Sequence, residues 1–399
     1  MMDIRVKVYF VLTTLNTLCD VTSQVDEPIF CLLALLWRMI TLYAMMAWDF
    51  DTKHTKYTTI AMAMAHGSSA LYWIYKAPHT WEANQWSVHT DLVMMIWMVT
   101  TLKQDTNMSD TANSKLKLKS AAAPSPTIAD ASVPCLTIHE MFACYYSAAA
   151  FFKLNTHFLN PTGSCATMFM AQHVTYYLSH VNMESLEHVL RASKPWAPIA
   201  TIVVEALMGL TITMGRLLRS RFYTRTGLMI ILYFHLVICL TPKPNDISNF
   251  GLICGSRLIV LLEPKSLEVA IQQCIRPYTF YISLLVLPLV ADGIQNDFTS
   301  LNWAFVLYIP VLIFCQLATH VESRQSKNEV PNAETNNDGE YNAFIRPSWT
   351  QIPTIFAAFY AFGSLILGLQ EEATPNMVRI FFHSLLRVSC NVASNFKGR

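Results

Sequence analysis

Four ionisable side chains lie within or at the end of long apolar runs: Arg38, Lys153, Glu205 and His235. Charge is costly there, so such residues pair, reach a polar boundary or serve a function. Their types define the available chemistry. Neutral lysine and histidine take protons, glutamate takes a proton or holds a cation, and arginine stays charged and grips anions. Arg38 is central in run 28–48, Glu205 in 197–215 and His235 in 227–241, while Lys153 closes 136–153. By position alone, Arg38 and Glu205 are expected to pair as buried ions. His235 reads as a hydrogen-bonded core residue, and Lys153 as a side chain snorkelling to an interface.

The elements that must position these residues are apolar helices. The chain is 53% hydrophobic and 14% charged, against about 25% charged in an average globular domain. A membrane-spanning helix needs about 20 mostly apolar residues. Further runs occur at 57–75, 86–102, 279–292, 301–320 and 352–370, and one at 247–263 is interrupted by Gly251, Gly255 and Arg257. The expected fold class is therefore all-α: a polytopic transmembrane helical bundle of about nine or ten spans. Residues 1–27 combine a basic start with a short apolar run and lack a small-x-small cleavage site, which predicts an uncleaved interfacial segment. Residues 103–135 and 321–349 read as polar, flexible loops, and 379–399 as an amphipathic tail.

Basic residues set the orientation. Lys53 and Lys56 follow the first span, Lys115, Lys117 and Lys119 the third, and Arg216, Arg219, Arg221 and Arg225 the fifth. Lys265 and Arg276, then Arg324, Lys327 and Arg346, continue the alternation, so these loops are predicted to be cytosolic. Loops 76–86, 154–196, 242–247 and 293–300 then lie on the opposite side. That assignment puts His89 and Lys153 at the non-cytosolic mouths of their spans, with His235 deeper on the same side. Asn107-Met108-Ser109 is a glycosylation sequon on the side assigned to the cytosol, and the charge pattern outweighs it.

A net charge of +1 offers no basic field for nucleic acid, and ten cysteines without a C-x-x-C pair predict no metal site. The partner this composition calls for is the lipid bilayer.

The stretch HEMFACYYSAAAFFKLNTHFLNPTGSCA, 139–166, resembles the core of the horizontally transferred transmembrane domain family, which includes the vitamin K-dependent γ-glutamyl carboxylase. The resemblance rests on Tyr145, Tyr146, Ala148, Ala149, Lys153, Leu154, Asn155 and Phe158. VHTDLVMMIWMVTTL, 88–102, is similar to the family's Asn-His-x-Tyr-Leu segment, with His89 in place, Val88 for Asn and Asp91 for Tyr. RTGLMIILYFHLVICL, 225–240, is similar to its Phe-His segment at Phe234 and His235. The three matches follow the family's order and fall within residues 28–264, a transmembrane core followed by further helices at 265–399. The resemblance implies catalytic roles for Lys153, as base, and for His89 and His235. It leaves support to Asn155, Glu205, Arg38 and Tyr146, and makes reduced vitamin K or another quinol the expected cofactor.

An amine desolvated among Ala150, Phe151 and Phe152 would be neutral part of the time and able to deprotonate a quinol. One of the carboxylase's two adjacent lysines is Phe152 here, and nothing resembles its large lumenal domain, so γ-carboxylation of a protein substrate is not implied. Two other classes stay open: a non-enzymatic assembly or interaction protein on the same scaffold, and a small-solute or proton transporter using Glu205, Arg38 and His235 as a polar path.

Overall fold

The computed structural model describes residues 3–23, 28–47, 52–76, 82–112, 132–242, 248–274, 303–328 and 351–363. Among these residues every regular element is helical. The long helices are α1 (Ile4–Ser23), α2 (Pro28–Ala47), α3 (Thr52–Lys76), α4 (Glu82–Ala112), α5 (Ser132–Lys153), α9 (Trp196–Leu217), α10 (Arg221–Cys239) and α13 (Trp303–Asn328). Shorter pieces fill the gaps: α6 (Thr156–Leu159), α7 (Cys165–Tyr177), α8 (Met183–Ser193), α11 (Ser248–Arg257), α12 (Pro264–Cys274) and α14 (Ile352–Ala358). A 3-10 turn, Leu258–Leu261, continues α11, and a π turn, Phe359–Gly363, continues α14. Two helices, Trp196–Leu217 and Arg221–Cys239, are long and apolar enough to cross a membrane.

Helices meet where glycine removes the side chain that would hold them apart. Gly209 on α9 faces Ser147 on α5, and a Cβ there would come within 2.8 Å of the Ser147 backbone nitrogen. Gly251 on α11 lies against α10, where a Cβ would sit 2.8 Å from the His235 carbonyl oxygen. Such close approach lets dispersion and short polar contacts hold apolar helices together. The α5–α9 seam runs antiparallel: His139 Nε2 donates to the Ile212 carbonyl at 3.1 Å, and Arg216 pairs with Glu140 at 3.0 Å. Thr354 of α14 donates to the other Glu140 oxygen at 3.0 Å, so three helices are tied at that end.

Three sequence expectations change. Residues 4–23 form a helix whose Val6, Tyr9, Phe10, Thr13 and Asn16 are buried, and it packs on α2 and α11. Its Thr13 and Asn16 accept from Arg38 and Arg257 inside the bundle, which ties it in among the other helices. Residues 103–112 of the expected loop are helical, because α4 continues to Ala112, and residues 113–131 lie outside the described residues. The polar stretch expected from 321 is likewise helical to Asn328. Run 279–292, residues 364–370 and the tail at 379–399 lie outside the described residues. Across position 264, α12 and α13 pack on α1, α10 and α11 around one shared apolar core.

Candidate functional site

α5 organises the site. Its successive residues Tyr145 and Tyr146 point about 100° apart around the helix axis, and each hydroxyl finds a different histidine. Tyr145 Oη lies 2.6 Å from His89 Nδ1 on α4, and Tyr146 Oη lies 2.6 Å from His235 Nε2 on α10. Trp86, one turn before His89 on α4, stacks on Tyr145 with ring centres 4.7 Å apart and meets Tyr146 edge-on. Both pairs therefore share an aromatic wall. His89 is closed on another side by Phe356 and Tyr360 of the α14 segment, at 5.2 and 4.5 Å. His235 stands between Phe234 and Phe250 at 5.6 and 5.2 Å. It is fully buried, and its Nδ1 has no hydrogen-bond partner among the described residues.

Lys153, the last residue of α5, is buried and donates to both carboxylate oxygens of Glu205 on α9, each at 2.5 Å. This corrects two expectations. Arg38 is not the partner of Glu205. Lys153 neither snorkels nor stands as a lone amine among phenyl rings: Phe151 faces outward, and a carboxylate occupies the lysine's polar end. Asn155 fixes the chain just beyond. Its Oδ1 accepts from the Phe158 amide at 2.8 Å, and its Nδ2 donates to the Phe152 carbonyl at 2.7 Å. The turn drives Phe158 into a pocket with Ala166 and Ile202, and Ile202 is one turn before Glu205. Cys165, at the start of α7, interacts electrostatically with both Lys153 and Glu205.

Lys153 follows Tyr146 by seven residues and Tyr145 by eight, so it stands about 10–12 Å further along α5. His89 and His235 are consequently at one level, two turns from the lysine, and neither hydrogen-bonds it. His89 and Lys153 are thus set about two turns apart along α5. α5 brings Lys153, Glu205, Tyr146, His89 and His235 around one helix, and leaves Arg38 elsewhere.

Arg38 belongs to a second buried assembly. It donates to Thr13 at 2.9 Å and to Ser69 at 3.0 Å, and lies 3.8 Å from Asp91. Asp91 accepts from His66 Nδ1 at 2.9 Å, with Arg257 3.7 Å from its other oxygen. Arg257 in turn donates to Thr90 at 3.0 Å, Ser87 at 2.5 Å and the Ile253 carbonyl at 2.9 Å. Sequence reasoning names only Arg38 here. Asp91, His66 and Arg257 meet the same criterion, an ionisable residue within an apolar run, and that criterion applied evenly finds all four.

α7 closes the end of the bundle above Lys153. From its last two turns, Gln172 donates to the Pro242 carbonyl, His173 Nε2 meets Thr241 Oγ1 at 3.1 Å, and Tyr177 donates to the Leu240 carbonyl at 2.7 Å. Its first residue packs on the pocket of Phe158 and Ile202, one turn from Glu205, and its last turns hold the end of α10. Among the described residues, no three His, Cys, Asp or Glu side chains cluster as metal ligands would. In comparison with known proteins, no family model, no curated protein and no solved structure matches this chain.

Proposed function

We propose that the chain is a polytopic, all-α membrane protein built like the horizontally transferred transmembrane domain family. In this reading it carries out quinol epoxidation or carboxylation-type chemistry, with Lys153 and Glu205 as the proton-handling pair on the non-cytosolic side. One observation supports this above all. The two tyrosines of the resembling stretch on α5 hydrogen-bond the two histidines from the other resembling stretches, His89 and His235. Three segments joined only by sequence likeness are thereby also joined in space.

The residues present fit a quinol such as reduced vitamin K. Its ring needs apolar, aromatic walls, and Trp86, Phe234, Phe250 and Phe152 are of that kind. Its hydroxyls need polar partners in a dry setting, and His235 Nδ1 and the Lys153–Glu205 pair are of that kind. When bound, a quinol supplies the reducing electrons. The chain's own part is to remove a proton through the pair, hold the ring and exclude water.

The test is expression in membranes with reduced vitamin K, oxygen and bicarbonate, followed by measurement of epoxide. Activity in wild type that falls at least tenfold in both Lys153→Ala and Glu205→Gln supports the reading. Equal epoxide from wild type and Lys153→Ala removes Lys153 as the base.

The assembly around Asp91 favours a second reading, transport of protons or small solutes, because ionisable groups inside a bundle commonly mark an ion path. Proton flux into proteoliposomes that Asp91→Asn abolishes would select it. Neither epoxide nor flux would leave a non-enzymatic assembly or interaction protein.

A further inference from the structure

The α7–α8 hairpin, built from Cys165–Tyr177 and Met183–Ser193, is the largest structured excursion between long helices among the described residues. It joins the end of α5 to the start of α9, so its attachment points are fixed at the end of the bundle that carries Lys153. α8 is amphipathic. Val189, Leu186, Leu190 and Met183 fall within an arc of about 120° at the 3.6-residue helical repeat. Glu184, Glu187, His188 and Arg191 occupy the rest. Asn182 caps the helix through the Ser185 amide at 2.8 Å, and Arg191 pairs with Glu187 at 2.6 Å, so the polar face is satisfied locally.

The apolar face is not satisfied by the protein. Leu186 is buried, but Met183 is 77% exposed, and Val189 and, in the connection before α8, Leu178 and Val181 are exposed as well. A hairpin standing up in water would hold these side chains against solvent. A second observation says what covers them. On α9, Trp196, Ile199, Val203, Leu207 and Leu210 form an exposed stripe at helical spacing. The stripe begins three residues after α8 ends, a link of at most about 10 Å. The apolar edge of the hairpin thus lies within about 10 Å of chain from the outward face of a helix long and apolar enough to cross a membrane.

We infer that the α7–α8 hairpin lies in the headgroup layer of the non-cytosolic leaflet, with the Met183–Val189 face of α8 turned into lipid. The inference rests on the spanning reading of α9. An interfacial helix of this kind carries a polar face in water and an apolar face at the acyl boundary. Since α7 begins on the Phe158–Ile202 pocket, one turn from Glu205, the end of the bundle that carries Lys153 is then at the lipid–water boundary.

The experiment places the photoreactive residue p-benzoylphenylalanine singly at Met183, Val189, Glu184, His188 and Leu210 of the full chain. The protein is reconstituted in phosphatidylcholine vesicles, illuminated and read for phospholipid adducts by mass spectrometry. All five positions are exposed, so the substitutions do not disturb packing. Adducts at Met183, Val189 and Leu210, at least fivefold above Glu184 and His188, are expected. Adducts at Leu210 without adducts at Met183 and Val189 overturn the inference and leave α9 spanning. No adduct at Leu210 overturns the spanning reading and the inference together.

Discussion

Lys153 and Glu205 are each worth little without the other. Their burial removes both charges from water, and bidentate contact restores part of what solvation gave. Breaking the pair from one side leaves a buried ion without its counter-charge. Lys153→Met or Glu205→Met alone should destabilise the protein by about 3–5 kcal/mol. The double variant should recover most of that loss, as read by thermal or denaturant unfolding in detergent. Equal, additive losses would mean that the pair is not coupled. The pair also marks a limit of sequence reasoning. Both residues are recognisable as buried ions from their runs, but the partner assignment, Arg38 to Glu205, exchanges two real assemblies. Runs give depth and not azimuth, and only packing decides which faces of α2, α5 and α9 look at one another. The hydroxyl–imidazole pairs show the same limit. Tyr145, Tyr146, His89 and His235 all stand out in the sequence, but nothing in it says which tyrosine meets which histidine.

Glycine contacts and ionic ties do different work in joining the helices. At Gly209 the α5 backbone is so near that any side chain must push the helices apart. Gly209→Val should cost about 1–3 kcal/mol through overpacking and should loosen the Lys153–Glu205 contact one turn away, which unfolding and the epoxide assay would both register. Asp91 holds α2, α3 and α11 to α4 through Arg38, His66 and Arg257. Asp91→Asn keeps the shape but removes the counter-charge, and about 3–5 kcal/mol of stability should go with it. At the bundle end, half-burial disfavours the charged ring of His173 and lowers its pKa. Its stabilising share is therefore complete above the unfolded value, about 6.5, and is lost as pH falls through the lower folded value. Proteolysis of the 154–195 segment should quicken below that pH, and His173→Gln should remove the dependence. The run boundaries of α2 and α9 were legible from hydropathy, whereas α3 and α10 begin five and six residues before their runs because their charged first turns, with Lys53, Lys56, Arg221 and Arg225, are helical too. α7 and α8 were not legible, because their short helices mix apolar and polar residues at a spacing that also suits a surface loop.

For the molecule as a whole, the main helical core among the described residues extends from Tyr9 of α1 to Ala361 beyond α14, with smaller apolar clusters among α1–α4 and around Phe158. The all-helical class follows from composition and run length. The number of spans follows only from treating each run as a crossing, and two helices meet that standard by length and composition. The charge alternation makes a molecule-wide prediction. Cysteine-reactive reagents that cannot cross the membrane should label an introduced Ser179→Cys only from the outside of sealed cells, and Arg219→Cys only after permeabilisation. Labelling of both from one side would undo the topology.

The placement of Tyr145, Tyr146 and Lys153 on one continuous helix has a mechanical consequence. α5 works as a keyed shaft whose angular setting is read at two levels. One residue inserted between Tyr146 and Lys153 would rotate the lysine by about 100° relative to the tyrosines and advance it by about 1.5 Å. Both histidine pairs would stay closed while the Lys153–Glu205 contact opened. The phase of this one helix, more than the identity of any single group on it, determines whether both levels are closed at once.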